Sequence, residues 1–143
     1  MKVNICIIGL VLIFVSCKTY TIQLESFEYQ LVKARSNQMS EVEINNPLFF
    51  GNLKYAANNI KTVNVIDKKG NKLTIPNSPS LEMRLTHKNG KKFHFYFDTV
   101  ILEKGILIGS RSRFIPSLTR SIPLDSIVEI KIQEGGKNFK YQN

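Results

Sequence analysis

The chain has 143 residues and a formal net charge of +9, with 43% hydrophobic residues, nine Phe, five Tyr and no Trp. That apolar content excludes a disordered polyelectrolyte, and polar residues interrupt every apolar run after residue 16, which excludes a multispan membrane protein. One domain of this size buries a continuous core, and the basic balance points to anionic surroundings.

Met1-Lys2 is a short positive start, Val3 to Val15 is mostly apolar, and Ser16-Cys17 follows. At ~1.5 Å per residue the apolar stretch makes a helix of about 20 Å, well short of the ~30 Å hydrocarbon core of a bilayer. A cleaved secretory leader over 1–16 is therefore expected, not a permanent span. Lys2 leaves with it, so the mature chain keeps 19 of the 20 basic residues against 11 acidic ones. Cys6 leaves as well, and Cys17 becomes the only mature thiol, with no partner for an internal disulfide.

Phe14-Val15-Ser16-Cys17 resembles the lipobox of bacterial lipoproteins, departing from its tightest form at Phe14 and Val15. The resemblance implies cleavage before Cys17, a diacylglycerol on its sulfur and an acyl chain such as palmitate on its amino group. One chain anchors only marginally, whereas two or three hold a protein firmly on a membrane. Lys18, standing where inner-membrane lipoproteins tend to carry Asp, implies the outer membrane. No acidic cluster follows Cys17, which implies the periplasmic face.

Leu24, Phe27, Leu31 and Ala34 recur on one helical face between Thr21 and Arg35. Glu25 and Glu28 lie toward its start and Lys33 and Arg35 toward its end, complementing a helix dipole. A short edge strand is expected around Val42 and Ile44, ended by Pro47. Next comes a hairpin turning at Lys68-Lys69-Gly70, with Val65 opposite Leu73 and Val63 opposite Ile75. A second turns at Lys88-Asn89-Gly90. A two-residue Asn-Gly turn there would mix polar and apolar residues on one face. A three-residue loop instead pairs Leu85 with Phe93, Met83 with Phe95 and Leu81 with Phe97. A third is expected at Glu103-Lys104-Gly105, pairing Leu102 with Ile106 and Val100 with Ile108 and running on through Arg111 and Arg113. Pro116 to Ser121 reads as a loop, Ile122 to Ile127 as a short turn, and Val128, Ile130 and Ile132 as the last strand.

Short strands with turn glycines predict an all-β fold, a compact antiparallel sandwich or a small barrel that resembles the SH3-like class, preceded by the helix. The expected division is a leader over 1–16, then anchor, helix and linker over 17–46, then a β domain over 47–143. Asn77-Ser-Pro-Ser, Phe97-Asp-Thr, Ser112-Arg-Phe-Ile-Pro-Ser and Lys140-Tyr141 also resemble a group of small Bacteroidetes lipoproteins. That resemblance implies no biochemical role.

No nucleophile elbow, phosphate-cradling loop or Cys/His metal spacing is present, so no metal or cofactor is expected. His94, Tyr96 and Asp98 alternate on one strand face, which makes His94 with Asp98 the candidate acid–base pair of a small enzyme. The solvent face of a strand whose other face is Phe93, Phe95 and Phe97 explains them more simply. Arg111 and Arg113 are read as sharing a strand face, with Arg120 in the next loop; guanidinium forks of this kind suit phosphates and carboxylates. Lysines crowd the hairpin tips, where they blunt sheet edges. The basic residues do not interleave with aromatics as a nucleic-acid platform requires. The expectation is a non-catalytic, lipid-anchored binding module for an envelope protein or anion, with Arg111, Arg113 and Arg120 as contacts. An accessory subunit joining a larger assembly through a sheet edge is the alternative.

Overall fold

The computed structural model describes residues 18–142 apart from residue 33, so the leader, Cys6 and the proposed lipidation site Cys17 lie outside the described residues. The described residues open on a strand of the six-stranded sheet. Strand β1 (Thr19–Ile22) is followed by helix α1 (Leu24–Leu31) and a 3-10 turn at Ser36–Gln38. Then come β2 (Ser40–Asn45), β3 (Asn52–Ala57), β4 (Thr62–Ile66), β5 (Lys72–Pro76), β6 (Leu81–His87) and β7 (Lys92–Tyr96). A second 3-10 turn (Phe97–Thr99) leads into β8 (Ile101–Glu103), β9 (Ile106–Ser110) and β10 (Thr119–Pro123), and a third (Leu124–Ser126) into β11 (Ile127–Glu134).

All ladders are antiparallel: a six-stranded sheet ordered β5-β4-β1-β11-β6-β7, a three-stranded sheet β10-β9-β8, and the β2-β3 hairpin. The described residues are thus mostly β, with one α-helix among them. Strands β5 and β7 are the edges of the large sheet, which does not close into a barrel. Strand β1, in the stretch expected to hold the anchor and the start of the helix, pairs with β11 on one side and β4 on the other. Position 47, where the β domain is expected to begin, lies in the loop between the paired strands β2 and β3. Strand β10 likewise replaces part of an expected loop.

Alternation sets the register where it carries information. Val65 pairs with Leu73, Val63 with Ile75, Leu85 with Phe93 and Met83 with Phe95, across turns whose Gly70 and Gly90 take φ of +86° and +84°. That is the left-handed conformation the three-residue loops require. The expected Leu81–Phe97 pair does not form, because β7 ends at Tyr96 and Phe97 enters the turn. The third hairpin is one residue out of the expected register: Ile101 faces Ile108, Leu102 faces Leu107 and Glu103 faces Ile106. Both Lys104 (φ 50°) and Gly105 (φ 74°) are left-handed, a two-residue turn of the primed kind that matches strand twist. A bulge between Ile127 and Glu129 sends Val128 outward, while Ile127, Ile130 and Ile132 stay in the core.

Phe27, Leu31 and Ala34 pack into the main core with Val63, Val65, Met83, Leu85, Phe95, Ile130 and Ile132, capped by Leu107 and Ile122 of the small sheet. A second cluster of Ile44, Tyr55, Ala57, Tyr96 and Phe139 forms where β2-β3 and the C-terminal segment meet β7. Between these two apolar masses lies a group of buried, hydrogen-bonded polar side chains that includes Asn58, Asp98, Thr99 and Arg113.

Candidate functional site

The turn at Phe97–Thr99 forms because Thr99 Oγ1 donates to the Tyr96 carbonyl, at 2.7 Å. It carries Asp98 inward, fully buried. A buried carboxylate is costly unless it is paired and hydrogen-bonded. Asp98 Oδ1 accepts from Arg113 Nη2 at 2.7 Å, and Oδ2 accepts from the hydroxyls of Tyr55 and Tyr141. The same Nη2 donates to the Pro79 carbonyl. The guanidinium carbon lies 4.4 Å from the Tyr55 ring centre and 4.0 Å from that of Tyr96, with Phe139 at 5.9 Å. Nε and Nη1 have no hydrogen-bond acceptor among the described residues, so the rings, Asp98 and Pro79 hold this cation. A cleft of about 250 Å³ opens beside it, its other walls mostly apolar: Met39, Ala56, Ile101, Ile108 and Pro116.

Two asparagines brace the cluster. Asn58 Nδ2 donates to the carbonyls of Phe97 and Val100, at 2.9 and 2.8 Å, and its Oδ1 accepts from Asn77 Nδ2 at 3.1 Å. Ser80 Oγ donates to the backbone carbonyls of Lys137 and Phe139. Four segments far apart in the sequence therefore converge here, through Asn77, Pro79 and Ser80, Asp98 and Thr99, Arg113, and Tyr141.

Both bonded tyrosines have their hydroxyl pKa pushed well above the ordinary value, first by burial and then by the negative charge of Asp98. The neutral phenols are favoured in the folded state. The stability they contribute is complete below the unfolded pKa near 10, and it is lost as pH rises from there toward their folded values. Urea midpoints are therefore expected to fall steeply above about pH 10, and the fall to shrink in Tyr55→Phe and Tyr141→Phe. An unchanged alkaline slope in both variants would remove the phenols as its cause.

The expected site residues part company. Arg113 is a buried structural group and does not share a surface with Arg111: β9 ends at Ser110, and the bend after it, held by Ser110 Oγ and the Ser112 backbone, turns Arg113 inside. Arg111 and Arg120 are exposed, the first with its N–H donating to the Leu118 carbonyl and the second 5.1 Å above the Phe93 ring. His94 and Asp98 are not brought together. His94 is exposed on β7, whereas Asp98 lies in the turn beyond it with its carboxylate taken up by Arg113, Tyr55 and Tyr141. His87 instead accepts the Asn89 N–H through Nδ1 and meets the Phe93 ring edge-on. Among the described residues no group of three or more His, Cys, Asp or Glu is placed to hold a metal, and no helix is long and apolar enough to cross a membrane.

The apolar surface was not visible as such in the sequence. Leu48, Phe49 and Phe50 stand exposed at the β2-β3 tip, and Phe114, Ile115 and Leu118 on the loop between β9 and β10. Their signal is a run of large apolar residues beside turn formers, which reads equally well as core. Comparison with protein-family models, curated proteins and solved structures finds no match for the chain.

Proposed function

We propose that this protein is a non-catalytic lipoprotein of the cell envelope, held on the periplasmic face of the outer membrane by lipid on Cys17, and that its β unit presents a binding surface to an envelope protein or anion. One observation carries the reading: Lys18, next to Cys17, directly precedes β1, an inner strand of the six-stranded sheet. A lipid on Cys17 would tether the sheet itself and hold its near end against the bilayer. The likeness to small Bacteroidetes lipoproteins supports the same address. The kinship to SH3-like small barrels belongs to this proposal too; the 3-10 turn before β11 supports it.

Arg111 and Arg120 are the anion contacts of this reading. Arg113 is not one, because its charge is spent on Asp98. Labelled palmitate is expected to enter the native chain and not Cys17→Ala; equal labelling of both would reject the anchor. Crosslinking in intact cells is expected to trap a partner that is lost in Arg111→Glu, Arg120→Glu. A partner kept by that variant would favour assembly through a sheet edge, for which β5 is open along one side and exposed at four of its five residues.

A further inference from the structure

The β2-β3 tip is built to present its apolar side chains to the outside. Asn46 Oδ1 accepts from the backbone N–H groups of Leu48 and Phe49, at 3.0 and 3.2 Å, and the Asn46 N–H reaches the Gly51 carbonyl at 3.3 Å. Gly51 closes the loop at φ +97°, which a side chain would resist. Pro47 stiffens its start. On this frame Leu48 is 63%, Phe49 73% and Phe50 106% exposed. Large apolar groups grouped this way on a surface mark a contact with another phase or partner.

The registers bring the end of β11 together with the starts of β1 and β6, where Lys18 enters, and the segment that leaves β11 bonds the strand residue beside the tip frame. Thr19 lies opposite Gln133, and Leu81 opposite Glu134, so β1 and β6 begin where β11 ends. The β4-β5 turn is at that end as well, because Thr21 pairs with Ile66, and Lys18 lines one shallow depression with Lys68 and Lys69. Asn138, four residues past Glu134 and so within about 14 Å of it, accepts from Asn45 Nδ2, one residue from the tip frame. Lys140 N–H donates to Asn45 Oδ1. Phe114 reaches this corner too, 6.5 Å from Phe139 and below Lys137.

The charges fit an anionic surface. Lys18, Lys68, Lys69, Lys137 and Lys140 are exposed here, against the carboxylates Asp67, Glu82 and Glu134; Glu43 is paired with Lys54. Glu82 and Glu134 are engaged by Gln133 and Ser78, and Asp67 by its own turn. The far end of the sheet also carries lysines, at Lys88, Lys91 and Lys92, so charge alone does not choose the end. The apolar tip does.

We infer that Leu48, Phe49 and Phe50 form a wedge that inserts into the interfacial layer of an anionic lipid bilayer, with Phe114 and Ile115 beside it and the surrounding lysines on the headgroups. Amphipathic insertion of this kind combines buried apolar area with attraction of basic residues to anionic lipid. The wedge deepens the lipoprotein reading by fixing the orientation of the anchored domain, and it rests on that reading only for its second attachment.

The chain has no Trp, so one indole reports its own surroundings. Full-length lipidated Phe50→Trp, bound to vesicles containing phosphatidylglycerol, is expected to show blue-shifted emission and strong quenching by lipids brominated near the headgroup. Lys88→Trp, at the opposite end of β6, is expected to stay unquenched. Replacing all three tip residues by Ser in the unlipidated Cys17→Ala chain should weaken vesicle binding about tenfold or more. Vesicle-bound Phe50→Trp that is no more quenched than Lys88→Trp would overturn the wedge. So would emission that shifts without vesicles, on addition of envelope protein or of a second copy. Quenching of Phe50→Trp in a chain that takes up no palmitate would sustain the wedge and reject the lipid anchor, which keeps the two failures apart.

Discussion

Arg113→Met is expected to cost the fold about 3–5 kcal/mol, because it leaves Asp98 buried without its cation. Against a total stability of about 5–15 kcal/mol for a domain, such a variant stays folded with little in reserve. Asp98→Asn acts on the other partner: it keeps the shape of the carboxylate but removes the charge facing the fully buried guanidinium. Because the two changes remove one interaction, the double variant Arg113→Met, Asp98→Asn should lose less than the sum of the single losses, by about 0.5–3 kcal/mol. Arg113→Lys is not a mild version. An ammonium cannot lie flat between Tyr55 and Tyr96 while bonding both Asp98 and the Pro79 carbonyl. Urea midpoints of the four proteins measure the cycle. Single losses below about 1 kcal/mol, or strict additivity, would mean that the pair does not hold this corner together.

The same cluster shows where sequence reading stops. The first two glycine hairpins were legible in register because Val63, Val65, Met83 and Leu85 alternate with polar neighbours, so only one alignment keeps the apolar residues on one face. The Lys104-Gly105 hairpin was not, because Ile101, Leu102, Ile106, Leu107 and Ile108 are apolar on both faces and alternation carries no information there. β1 was hidden behind the leader, since Thr19 to Ile22 runs straight into the helical spacing. Arg113 was misplaced by carrying strand alternation past Ser110, and Asp98 by carrying it past Tyr96, whose carbonyl the Thr99 hydroxyl draws into a turn. Both errors are local bends. What makes the two residues a pair, the closure of Tyr55, Tyr96, Phe139 and Tyr141 around them, joins segments that no local pattern connects. The exposure of Phe49 and Phe50 was equally unreadable, because a Leu-Phe-Phe run looks like core until the hairpin tip is seen to leave it exposed.

Phe27→Ala should be comparably costly, about 3–5 kcal/mol, for a reason that was largely readable beforehand. Helix α1 has eight residues, too few to persist alone in water, so its stability is borrowed from packing. Phe27 and Leu31 are fully buried and Ala34 nearly so, while Leu24, the fourth residue of the expected face, is 38% exposed at the helix start. Phe27 meets Phe97 edge-on at 6.5 Å, and Phe97 belongs to the turn that carries Asp98. The helix therefore packs on the apolar side of the turn whose polar side faces Arg113. Truncating Phe27 opens a cavity beneath that turn, and its cost should fall on both the docking of α1 and the Asp98 cluster. Leu24→Ala, on the same helix but at its exposed start, should cost well under half as much. Thermal unfolding of the two variants compares the positions directly. Similar losses from both would mean that intrinsic helix formation, not docking on Phe97, governs this part of the fold.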